Sequence, residues 1–187
     1  LNSEAVPQLR GGVGALIRGG GAVGTANMSV SFTMLLVREI EGALALRGHL
    51  AIIASTRTVS WRLPVSKAGP EALGCVRAWG CVCPAMARAA GCPYHAAEDQ
   101  LALLVERFGP PGADDCLPLF PTEGGAHVEA HVVVELVEHL ATLTGEQTMD
   151  SDGNKRYGKH SWRRTGAVYL TGLGVEFFEI QLLARWL

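Results

Sequence analysis

No stretch of this sequence reaches the roughly 18 consecutive apolar residues that a membrane-spanning helix needs. The longest candidate, Phe32 to Leu46, is interrupted by Arg38, Glu39 and Glu41. A secretory signal is also lacking: residues 1–27 contain Arg10 and Arg18 but no clean apolar block. There is no basic excess either. The 187 residues carry 16 Lys and Arg against 18 Asp and Glu, a net charge of −2. Domains that hold nucleic acid through phosphate neutralisation usually carry a surplus of positive charge. Any such function here must rest on local sorting of charge, and Lys155, Arg156, Lys159, His160, Arg163 and Arg164 form one basic run. The chain shows no internal repeat.

What is present describes a globular chain. At 48% hydrophobic and 18% charged residues, disorder throughout is excluded. The length suits one domain with a core of ordinary size. Residues 1–27 are glycine-rich and poorly patterned, and read as a flexible tail. Gly19-x-Gly21-x-x-Gly24 has the spacing of a dinucleotide fingerprint, but only Ala15 to Arg18 precede it where a strand is required. Residues 28–46 predict a helix with an apolar face of Phe32, Leu35, Leu36, Ile40 and Leu44. Residues 49–55 predict a strand, the alternation of Val59, Trp61, Leu63 and Val65 a half-buried second strand, and 73–79 a return strand. Lys67 then falls on the hairpin tip. Helices are expected over 96–108, 127–143, 160–173 and 175–187, with a polar loop over 150–158. The expected fold class is α+β, mainly α-helical, with a small antiparallel sheet.

Several residue groups are candidates for chemistry. His160 and Arg163 are three apart on an expected helix and share one face. Together they can grip one phosphate, the arginine forking onto two oxygens and the imidazole adding a third hydrogen bond. Arg38 and Glu41 have the same spacing, which equally suits a surface ion pair. Cys81, Cys83, Cys92 and His95 offer four soft ligands for a tetrahedral zinc, with Cys75 and Cys116 apart from them. A zinc knuckle over residues 75–95 is one reading, and a loop of reduced, partly buried cysteines is the other. His127, His131 and His139 fall on one helical face, either solvated or binding the metal of a zinc hydrolase. Asp150-Ser-Asp-Gly-Asn154 lacks the glycine position and the twelfth-position glutamate of a calcium loop and reads as a turn.

Taken in order, Arg38-Glu-Ile-Glu41, Lys67 on a hairpin, His160-Ser-Trp-Arg163-Arg-Thr-Gly166 and the terminal Ile180-Gln-Leu-Leu-Ala-Arg-Trp186 resemble the catalytic domain of the tyrosine recombinases, the phage-integrase family, in a form found in eukaryotic mobile elements. The resemblance spans about residues 28–187. It implies DNA strand cleavage and rejoining in recombination or integration. Arg38 and Arg163 would clamp the phosphate, with Glu41 orienting Arg38. Lys67 would give a proton to the leaving oxygen, His160 would complete the phosphate grip, and Trp186 would buttress it. Such preorganised cationic donors stabilise charge building on the phosphate. No cofactor is required for that chemistry. The implied partners are DNA and a second copy of the chain on DNA, with no membrane, in an intracellular setting that is the nucleus in a eukaryote. The chain also departs from the family. It begins at Leu1 and ends one residue after Trp186, and neither Tyr157 nor Tyr169 has the position of the nucleophile. The expectation is a truncated, catalytically silent recombinase domain, with a zinc-stabilised DNA-binding relic as its rival.

Overall fold

The computed structural model describes residues 21–63, 75–84, 87–113 and 115–186. Lys67 and its hairpin tip lie outside them, as does most of the glycine-rich segment. The described chain is mixed α+β, with six helices and one three-stranded antiparallel sheet.

Chain order is α1 (Thr25–Met34), α2 (Glu39–Ala43), β1 (Leu50–Ile53), β2 (Thr58–Leu63), β3 (Cys75–Gly80), α3 (Pro93–Phe108), α4 (Ala130–Leu143), α5 (Ser161–Gly172) and α6 (Phe177–Ala184). Strand order is β1-β2-β3, with Leu50 opposite Trp61 and Trp61 opposite Arg77. The alternation over Val59, Trp61 and Leu63 is realised as a buried face, because one side of β2 lies on the core. Helix α3 covers the sheet and packs on α1, α1 also packs on α5, and α2 packs on α4.

Phe32 is the centre of the core. Its ring lies 5.9 Å from Trp61, 5.7 Å from Phe120 and 6.2 Å from Trp162, all tilted or edge-on. Such offset and edge contacts exploit the ring quadrupole beyond simple area burial. The first described residues join this core. Ala22 and Val23 are buried, and Gln100, fully enclosed, donates from Nε2 to the carbonyls of Val23 and Leu119.

Two helices differ from expectation. The helix expected over 28–46 is broken between Met34 and Glu39. Leu36 takes a left-handed conformation at φ 51°, and the Val37 N–H reaches back to the Phe32 carbonyl at 3.0 Å. A non-glycine residue in that region is strained, so distant partners must hold it there. The fourth helix starts at Ala130 rather than 127, since the His127 Nδ1–H donates 2.8 Å to the Ala43 carbonyl and leaves the helix axis. The three histidines expected on one face are therefore not on one helix.

Helices α1 and α5 approach closely at Gly166. A Cβ there would lie 2.0 Å from the Thr33 carbonyl oxygen and 2.4 Å from Leu36 Cδ2. Backbone cannot yield as a side-chain tip can, so Gly166→Ala should destabilise the fold by at least about 1–3 kcal/mol, the usual range for overpacking. Gly172→Ala, in the same helix with open space around it, should cost nothing. Urea unfolding of both variants checks this; equal stabilities would refute the close approach.

Candidate functional site

Two clusters of reactive side chains emerge. The first is built on the break between α1 and α2. In an unbroken helix the carbonyls of Leu35 and Leu36 would accept amides four residues on. Here they accept guanidinium protons. Arg77 on β3 donates from Nη1 to the Leu35 oxygen at 2.7 Å and to the Leu36 oxygen at 2.8 Å. Arg163 on α5 donates from Nε to the same Leu36 oxygen at 2.8 Å. Two arginines from distant parts of the chain thus replace the missing helical bonds.

Glu41 is their common counter-ion. Its carboxylate accepts from Arg163 Nη2 at 3.1 Å and lies 3.7 Å from Arg77 Nη1. Its Oε2 also accepts the Arg38 backbone N–H at 2.8 Å, which caps the short helix α2. Glu41, Arg77 and Arg163 are all buried. Burial, together with the charges of Arg77 and Arg38, pulls Arg163 down to about 10 against the opposing effect of Glu41. Burial likewise lowers Arg77. Both remain cationic near neutrality. Arg38 is half-buried, and its Nε is enclosed without a hydrogen-bond partner. Three guanidinium groups therefore stand against two buried carboxylates of α2, Glu41 and Glu39, the latter with Oε2 enclosed and unpartnered, a surplus of positive charge that suits a site for an anion.

The structure brings Arg38, Glu41 and Arg163 together. His160 is exposed at the residue that precedes α5, one turn before Arg163. Trp186 lines a shallow cavity of about 360 Å³ with Arg164, Ala167, Val168, Thr171 and Phe177. Arg77 was not evident from sequence. The available signal was its shared parity with Cys75 and Trp79, which puts all three on the inner face of β3 while Val76 and Ala78 face outward.

The second cluster is Cys81, Cys83, Cys92 and His95, whose ligand atoms all lie within 4.8 Å of one another. It can hold a metal ion. All four described thiols near β3 are free, and the Cys92–Cys81 sulfur separation of 3.7 Å is far beyond a disulfide bond. Burial raises the Cys92 thiol, but backbone N–H groups of His95 and Val82 and the neighbouring thiols outweigh it and leave Cys92 below the usual range. Among the described residues no second cluster of this kind is found. His131 is exposed beside Glu129, and His127 is committed to the Ala43 carbonyl.

Asp150 behaves as the expected turn, accepting the N–H groups of Asp152 and Asn154. No helix of the described residues is long and apolar enough to cross a membrane. No family model matches the chain, and no curated protein matches it.

Breaking a buried ion pair from one side strands the remaining charge, typically at a cost of about 3–5 kcal/mol. Glu41→Gln should therefore destabilise by about that amount, because Arg163 and Arg77 lose their shared carboxylate. Glu123→Gln, which breaks the exposed pair with Arg107, should change stability little. Denaturant midpoints of the two variants provide the comparison. A Glu41 variant as stable as the parent would show that the pair carries no net stabilisation.

Proposed function

We propose that this chain is a tyrosine recombinase-like domain that grips a DNA phosphodiester in the recombination or integration of a mobile element. One observation carries the reading: Glu41 holds the Arg38 backbone and the Arg163 guanidinium at once, so the arginines of both recombinase-like motifs are fixed by a single carboxylate. In this reading Arg38 and Arg163 receive the phosphate oxygens, and His160, exposed at the start of α5, adds a hydrogen bond. Lys67 serves the leaving oxygen, and Trp186 supports the phosphate from the end of the chain. The chemistry is attack of a tyrosine on phosphorus, which forms a phosphotyrosine link and frees a 5′-hydroxyl.

Tyr94 is buried, and Tyr157 and Tyr169 are half-buried against the core. All three tyrosines are thus held back from a phosphate, and the role read for the described residues is binding. A metal in the cysteine–histidine cluster is structural zinc and takes no part in the transfer.

Fluorescence anisotropy with labelled duplex DNA at low salt tests the assignment. Arg38→Ala and His160→Gln, checked for unchanged melting, should each weaken binding by about 1–3 kcal/mol, the value of a charge-assisted hydrogen bond. A parent protein that does not bind DNA, or variants that bind as tightly, would overturn the reading. A denaturing gel with nicked DNA should show no covalent adduct; an adduct would mean that another residue attacks.

A further inference from the structure

Four ligand atoms at the corners of a tetrahedron with metal–sulfur arms of about 2.3 Å stand about 3.8 Å apart. In the second cluster the sulfurs of Cys92 and Cys81 are 3.7 Å apart, and Cys81 Sγ is 3.7 Å from His95 Nε2. Two of the six edges thus match a closed tetrahedral zinc site, and all six lie within 4.8 Å. The histidine is also held from behind. Its Nδ1 lies 2.7 Å from Glu98 Oε2, one helical turn further along α3. A hydrogen bond donated from Nδ1 leaves the Nε2 lone pair facing the thiols, the tautomer a metal needs. Cys83 Sγ in turn accepts the Ala89 backbone N–H at 3.0 Å.

We propose that Cys81, Cys83, Cys92 and His95 form a closed tetrahedral zinc site in which Glu98 is the outer carboxylate that orients His95, and that the metal fastens the end of β3 to the start of α3. The inference rests on the metal reading of this cluster and is independent of the recombinase reading.

The placement of the ligands explains the fastening. Cys81 and Cys83 follow directly on β3, which ends at Gly80. Cys92 precedes α3, and His95 lies in its first turn. One ion therefore closes the loop between sheet and helix. Cys81 is fixed on the sheet side as well, since its N–H donates 2.8 Å to the Arg57 carbonyl. Arg57 also approaches the metal-facing nitrogen, with Nη2 at 3.3 Å from His95 Nε2. A metal takes that lone pair, so Arg57 gives up this contact on loading.

The test uses the full 187-residue chain purified under reducing conditions. Elemental analysis should find about one zinc per chain, and Cys92→Ser should lose it. Cobalt substitution should give the intense thiolate charge-transfer bands and strong visible bands of a tetrahedral sulfur-rich site. Affinity is then measured by competition with a chelator. Glu98→Ala should keep the metal stoichiometry but bind zinc 10- to 100-fold more weakly, as other outer-shell partners do. Glu98→Gln, which retains an acceptor for Nδ1–H, should fall between, and the exposed Glu106→Gln should match the parent. Absence of zinc from the parent overturns the metal reading and the inference with it. Zinc in the parent with unchanged affinity in Glu98→Ala overturns the role of Glu98 alone. Melting temperature should fall on metal removal; an unchanged value would refute the fastening.

Discussion

The carbonyl of Leu36 is the point on which the described structure turns. It sits where a helix ought to continue, in a conformation that costs energy for a leucine. Guanidinium groups from β3 and α5 converge on it and hold it. The break they stabilise sends the chain into α2 at a new angle, puts Arg38 at the head of that helix and buries Glu41 behind it. The close approach of α5 at Gly166 depends on the same geometry, because Thr33 and Leu36 form the surface it meets. Sheet, first helix pair and fifth helix are thereby joined by one backbone oxygen and one carboxylate.

Such a cluster is an uneconomical way to make a fold merely stable. Desolvating ions costs several kcal/mol each, and apolar replacements of similar volume are often as stable or more so. Here the cations also exceed the carboxylates, and two nitrogens of Arg77, one of Arg38 and the Oε2 of Glu39 are enclosed without hydrogen-bond partners. Buried groups left in that state call for an explanation other than packing. An anion-binding role supplies one, which is the physical weight behind the recombinase proposal. A net charge of −2 does not oppose it, because the positive charge is concentrated rather than spread.

What the sequence made legible follows from range. The strands β2 and β3, helix α3 and the final two helices were readable because one face of each is buried and the side-chain period records it. The break at Leu36 was not, because residues 28–46 are locally good helix and the partners that interrupt them lie at positions 77 and 163. Arg77 was hidden by its neighbours. Val76 is 63% exposed and Arg77 3%, the reverse of what hydropathy alone predicts for an alternating strand. The cysteine–histidine set was legible as residue types, whereas the role of Glu98 needed the helix register that sets it behind His95. His127 was misplaced because helical periodicity continues through it, while its bond to Ala43 is tertiary.

The two clusters meet in β3, and that gives their coexistence a reason. In the described sheet β3 is an edge strand, paired only with β2. Its outward residues contribute little burial, so pairing and a thin inner face must hold it. Arg77 ties its middle to the α1–α2 break, and the proposed metal ties its C-terminal end to α3. Between these anchors the strand cannot shift register: a slip of one residue would turn Arg77 outward, away from the Leu35 and Leu36 carbonyls, and carry Cys81 off its partners.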